Sequence, residues 1–139
     1  MNVLIDTNVI LDAVTGRAPY NATAERIFLL AAEDKISAAI TATSVTDIYY
    51  LLHKHLHDAD RSRQALANLL SLFRILDVTG GDCRKALTMP MADYEDALLA
   101  TCAKRNKVDK IITRNLRDFD GAPVEALTPD GFLAEFKAE

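Results

Sequence analysis

Short uninterrupted apolar runs alternate with longer segments of helical period along this chain. Val3-Leu4-Ile5 is a strand-like run that stops on Asp6, and a short helix follows over roughly Asn8–Val14, capped by Asp6 or Thr7. Gly16, Pro19 and Asn21 mark a loop before a second helix, roughly Ala22–Glu33. Ser37–Thr41 reads as a second strand. Val45, Ile48, Tyr49, Leu52 and Leu56 then form one buried helical stripe. Ala65–Phe73 reads as another helix and Arg74–Val78 as a third strand. Gly80-Gly81 is expected to break the chain before a helix over Cys83–Leu87 that Pro90 ends. A helix opening at Asp93-Tyr94-Glu95-Asp96 leads to a fourth strand, Lys110–Thr113, and a polar loop, Arg114–Gly121. Val124–Ala126 is a fifth strand, followed by a helix from Pro129 with Phe132, Leu133 and Phe136 on its apolar face.

Strands alternating with helices predict an α/β fold: a parallel sheet of about five strands sandwiched by helices. With 139 residues and no repeat or interior linker, residues 1–139 read as a single domain. No apolar run reaches the ~20 residues of a membrane span, and Asp6 interrupts any secretory leader, so a cytoplasmic protein without a membrane partner is expected. Cys83 and Cys102 lack metal or redox spacing and read as reduced thiols. The net charge of −4 argues against a general nucleic-acid coat. Between Lys104 and Arg117, however, Lys104, Arg105, Lys107, Lys110, Arg114 and Arg117 face a single acid, Asp109. That segment is either a phosphate-attracting patch or a solvated helix end and loop.

Parallel sheets build their sites outside the carboxyl ends of the strands. Asp6 ends the first strand, Asp47 lies in the first turn after the second, Asp93, Glu95 and Asp96 open the helix before the fourth, and Asp118 follows the fourth near Asn115. Taken singly, most have ordinary uses. Ser44-Val45-Thr46-Asp47 fits a capping box, Asp93 is a good N-cap, Glu95 and Asp96 suit a helix dipole, and Asp118 suits a turn. Asp6 is different, because capping a short helix hardly requires a charge at the end of a central strand. Gathered on one edge, such carboxylates repel one another unless a cation neutralises them. An oxygen-only donor set suits Mg²⁺ or Mn²⁺ rather than zinc, and such ions activate water and offset phosphate charge. Metal-dependent phosphoryl chemistry is the reading these residues support.

Val3-Leu4-Ile5-Asp6-Thr7-Asn8-Val9-Ile10-Leu11-Asp12, the Thr43–Tyr50 helix start, Glu95-Asp96-Ala97-Leu98 and the Ile112–Phe119 segment together resemble the PIN-domain family, closest to its bacterial VapC-like ribonuclease-toxin branch. The likeness runs from Met1 to the helix at Pro129–Phe136. It implies a Mg²⁺- or Mn²⁺-dependent endoribonuclease, often the toxin of a toxin–antitoxin pair, with an RNA substrate, an antitoxin partner and pairing into a homodimer. Carried over residue by residue, Asp6, Asp96 and Asp118 match family acids. Asp47 stands where most members have glutamate, and Asn115 where many have aspartate. The catalytic set implied is Asp6, Asp47, Asp96 and Asp118. Asp6 and Asp96 would hold the metal directly, with Asp118 or Asn115 completing the site and Asp47 acting through water. Thr7 and Thr113 match positions whose hydroxyls steady the acids. Lys104, Arg105, Lys107, Arg114 and Arg117, with Arg61 and Arg63, would hold the RNA backbone.

Three rivals stand beside this reading. His53 and His57 have the i, i+4 spacing of a zinc helix, but Lys54 occupies the place of a zincin glutamate. A phosphoacceptor receiver domain would use Asp77 but would need a second acid beside Asp6. A PIN fold that binds RNA or protein without cutting is the third, and Asp47 and Asn115 are the residues that support it.

Overall fold

A computed structural model describes residues 1–138. Five parallel strands form one sheet in the order β3-β2-β1-β4-β5: β1 (Asn2–Ile5), β2 (Ser37–Thr41), β3 (Arg74–Leu76), β4 (Lys110–Ile112) and β5 (Ala126–Leu127). The connections carry α1 (Thr7–Val14), α2 (Asn21–Ala32), α3 (Ala42–Leu56), α4 (Ala59–Leu72), α5 (Gly80–Ala86) and α6 (Tyr94–Arg105), and α7 (Pro129–Ala138) follows β5. Central β1 explains its own composition. Val3 and Ile5 point into one apolar cluster with Ile10, Ile27, Ile48 and Phe132, while Leu4 points into another with Ala100, Cys102 and Ile111. Both faces are covered, so an uninterrupted apolar run is what the position demands.

Several boundaries differ from expectation, each because a polar cap outranks the apolar pattern. Of the two readings of Asp58–Asp60, loop or helix start, the structure has the helix start: α4 begins at Ala59, continuous with the stripe expected from Ala65, and the Asp58 carboxylate accepts from Arg61 N at 3.0 Å. Gly80-Gly81 opens α5 instead of breaking the chain, because Thr79 and Asp82 form a reciprocal capping box. Strand β3 is shorter than expected, stopping at Leu76, and β5 lies one residue later at its end, at Leu127. The Ser44–Asp47 capping box does not form. Thr41 caps α3 with its hydroxyl accepting from Ser44 N at 3.3 Å, which moves Asp47 into the second turn.

Gly121 brings two distant parts of the site together. It has φ +84°, and a Cβ there would stand 2.5 Å from the Pro90 carbonyl oxygen. Only glycine lets the loop carrying Asp118 close against the segment that leads into α6.

Candidate active site

Asp6 sits half-buried at the carboxyl end of β1, where its backbone N donates to Ile112 O at 2.9 Å. Its side chain is fixed on both oxygens. Thr7 N donates to Oδ1 at 2.8 Å, the Thr113 hydroxyl to Oδ2 at 2.9 Å, and Asn8 Nδ2 to Oδ2 at 3.4 Å. Burial raises the Asp6 pKa, and the bonds from Thr113 and Thr7 oppose that rise without cancelling it. Thr113 therefore steadies the acid through its hydroxyl, as the sequence suggests, whereas Thr7 does so through its backbone N–H.

Asp96 lies in the first turn of α6, behind the N-cap Asp93, whose carboxylate accepts from Asp96 N at 3.0 Å. The Asp96 side chain takes no hydrogen bond from the described residues. Its pKa is pushed up to about 7, by burial first and then by the charges of Asp6, Asp93, Asp118 and Glu95. Asp6, Asp96 and Asp118 come from three separate segments, the end of β1, the first turn of α6 and the turn after β4.

Asp118 is presented by a short 3₁₀ turn, Leu116–Phe119, anchored by buried Phe119, with Asp118 N donating to Asn115 O at 3.0 Å. Asn115 N donates to the Thr113 hydroxyl at 3.1 Å, and its side-chain amide has no partner among the described residues. Asp47 and Glu95 line a cleft of about 320 Å³ together with Asp6, Thr7 and Tyr50. Burial, and then the charge of Asp47, raises the Glu95 pKa. Glu95 is thus an acid of this site that the local pattern presents only as a helix-dipole residue.

The basic segment divides. Arg105 is committed to Asp82, with Nε at 2.9 Å and Nη2 at 3.0 Å, and also donates to Asp77 O. Arg114 is committed to Asp12, with Nε at 2.6 Å from a carboxylate only 1% exposed. Lys110 pairs with Glu125 and Glu135. Lys104 and Lys107 line a cleft with Asp109, Val124 and Glu125. Asn2 N donates to Asp109 there, which places that cleft at the amino edge of the sheet, away from Asp6. Arg117 alone of the expected RNA-binding set stays both near the acids in sequence and unpaired among the described residues. Arg61 and Arg63 lie in the first turns of α4.

The donors are of the type that fits a hard divalent cation: oxygen atoms only, one carboxylate pre-oriented by three bonds, another raised to about 7 by burial and then by its like-charged neighbours. Among the described residues no three His, Cys, Asp or Glu side chains stand close enough to share one ion.

Among the described residues no helix is long and apolar enough to cross a membrane. No curated protein matches the chain. Solved structures do match its fold. A VapBC2 complex of Rickettsia felis bound to a promoter DNA fragment superposes with TM-score 0.69 at 19% identity, covering 92% of this chain and 98% of that one. A toxin–antitoxin complex of Klebsiella pneumoniae gives 0.66 at 25% identity, with 91% and 97% covered. VapC20 of Mycobacterium tuberculosis, a sarcin-ricin loop cleaving toxin, gives 0.62 at 15%, with 78% and 86% covered. The family model for the PIN domain matches residues 2–117, from the start of β1 to the residue before Asp118. With its parallel sheet and its acids at the carboxyl edge, this chain belongs to the PIN-domain family.

Proposed function

We propose that the chain is a Mg²⁺- or Mn²⁺-dependent endoribonuclease that hydrolyses RNA phosphodiester bonds, and that it is the toxin of a toxin–antitoxin pair. The observation that supports the chemistry is that Asp6, Asp96 and Asp118 pair with no cation among the described residues, while burial and then its acidic neighbours raise the Asp96 pKa to about 7. Asp6 and Asp96 would hold the ion, with Asp118 or the free amide of Asn115 completing the set. A bound divalent ion would supply charge neutralisation at the phosphate and acidify water.

The chain's own groups have distinct tasks. Thr113, Thr7 and Asn8 hold the Asp6 carboxylate in one orientation, so no reorganisation is needed when substrate arrives. Hydrolysis adds a water oxygen to phosphorus, passes the water proton to a base, breaks the phosphorus–oxygen ester bond and protonates the departing oxygen. The carboxylates of Asp47 and Glu95, of which Glu95 has a raised pKa, would accept the proton and return it to that oxygen. Arg117, in the same turn as Asp118, would meet the RNA backbone.

For the partner, the support is a groove of about 500 Å³ lined by Val14, Phe28, Leu29, Ala65, Leu69 and Leu72, where Leu29 is 58% exposed. Apolar surface of this kind marks an interaction site, and the solved complexes from R. felis and K. pneumoniae pair a toxin with an antitoxin. Association of two copies belongs to the same reading, as does a cytoplasmic location.

The neutral amide of Asn115 favours a second reading, a PIN domain that binds RNA or protein without cutting. Incubation of a defined RNA panel with Mg²⁺, Mn²⁺ or EDTA, beside Asp6→Asn, separates the two. Cleavage that survives both EDTA and Asp6→Asn would sink the metal-dependent assignment. Absence of cleavage with either ion would leave the binding module.

A further inference from the structure

A second cleft of about 320 Å³ opens beside the acids, lined by Tyr20, Thr23, Arg114, Asn115, Thr128 and Asp130. It adjoins the proposed site through the backbone. Thr113, which holds Asp6, precedes Arg114; Arg114 N donates to Asn8 Oδ1 at 3.4 Å, and Asn115 N donates to the Thr113 hydroxyl. One wall is unusually well fixed. The Arg114 guanidinium is clamped by buried Asp12 at 2.6 and 3.3 Å, and its carbon lies 4.2 Å from the centroid of the Tyr20 ring. Two planar groups are thereby stacked in one orientation, while the tyrosine remains 42% exposed.

The charge balance selects what such a wall can bind. Asp12 offsets Arg114, and Asp130 adds a negative charge at the mouth, so the cleft offers a phosphate no net attraction. A neutral, flat ring suits it better, because bases stack on aromatic and guanidinium planes. The volume lies near the lower end of small-ligand pockets, which suits one ring system. Carboxylate oxygens accept from exocyclic amino groups, and uracil has none.

We propose that this cleft receives one nucleobase of the RNA strand next to the scissile phosphate, stacked on the Tyr20–Arg114 pair, with an amino-bearing base preferred over uracil through Asp130. The proposal rests on the ribonuclease reading for its substrate, yet the cleft can be tested apart from cleavage.

Free cytidine, adenosine, uridine and ribose are titrated into the isotope-labelled full chain and followed by NMR. Cytidine and adenosine are expected to shift Tyr20, Thr23 and Asp130 at lower concentration than uridine, and ribose to leave them unmoved. Tyr20→Phe should retain this binding and Tyr20→Ala lose it. Asp130→Asn should abolish the preference over uridine. In cleavage assays with Mg²⁺ or Mn²⁺, Tyr20→Ala should lower kcat/KM on the order of tenfold to a hundredfold, the range of one lost stack. On RNA abasic at the nucleotide beside the cut, wild type and Tyr20→Ala should perform alike.

Nucleosides that leave the cleft residues unmoved, or move them no more than ribose does, overturn the base subsite. So does an equal Tyr20→Ala loss on intact and abasic RNA. Either result leaves the ribonuclease reading standing if wild type still cuts. A chain that binds nucleosides here but never cuts RNA refutes the ribonuclease reading while keeping the cleft. Melting temperatures of Tyr20→Ala and Tyr20→Phe identify any loss that reflects unfolding.

Discussion

Asp12 is a fully buried carboxylate and Asp96 a partly buried one in the same small domain, and the fold treats them in opposite ways. Asp12 is 1% exposed and meets the Arg114 guanidinium on both of its oxygens. Asp82, 3% exposed, meets Arg105 in the same manner, which lowers its pKa. Asp96 is given no cation. Burial first, and then the company of Asp6, Asp93, Asp118 and Glu95, raises its pKa to about 7. A paired buried acid belongs to the scaffold, because its charge is cancelled within the chain. A cluster of acids that the chain leaves uncancelled calls for a cation from outside.

Breaking the first scaffold pair should have the largest effect. Arg114→Ala strands Asp12 at a position with no access to water and should cost about 3–5 kcal/mol in urea unfolding. Arg105→Ala should cost less, about 1–3 kcal/mol, since Thr79 N still donates to Asp82 and Arg105 itself is 42% exposed. Its pH signature follows from the lowered pKa of Asp82, whose contribution is present above the carboxylate's unfolded pKa and is lost as pH falls through the folded value. The gap between wild type and Arg105→Ala should therefore narrow on acidification below about pH 4.

The uncompensated side should answer with the reverse sign. The folded state holds the Asp96 proton more tightly than the unfolded chain does, so stability declines as pH rises from near 4 through about 7. In EDTA at pH 7.5, Asp96→Asn should be more stable than wild type by on the order of 1–2 kcal/mol, after allowing for solvent screening. A loss of stability would place Asp96 with the scaffold acids. The smallest effect is expected from Lys104→Ala and Lys107→Ala. Both residues line the amino-edge cleft, and each change should alter RNA cleavage by less than about twofold.

How much of this was legible in the sequence depended on range. The strands showed as apolar runs because β1, β2 and β4 are covered on both faces, and Asp6 stood out because it ends such a run. Local capping was partly legible. Thr41 took the role that Ser44 was expected to share with Asp47, and Asp58 started α4 ahead of its apolar stripe. The uses of the arginines were not legible. Arg114 reaches a partner 102 residues away and Arg105 one 23 residues away, so their spacing reads as a free basic patch. Glu95 was hidden for a similar reason: a helix-start glutamate has an ordinary local use, and only the fold brings Asp47 near it.

The central claim is that the acids at the ends of β1, α6 and the Asp118 turn await a divalent cation. Calorimetric titration of Mn²⁺ into the full chain at pH 7, in two buffers of different ionisation enthalpy, tests it most directly. The account predicts saturable binding accompanied by proton release, because the Asp96 pKa is raised to about 7 and a bound cation would displace its proton. The same titration should show binding lost in Asp6→Asn. Failure of wild type to bind Mn²⁺, or binding of equal strength in Asp6→Asn, would contradict it.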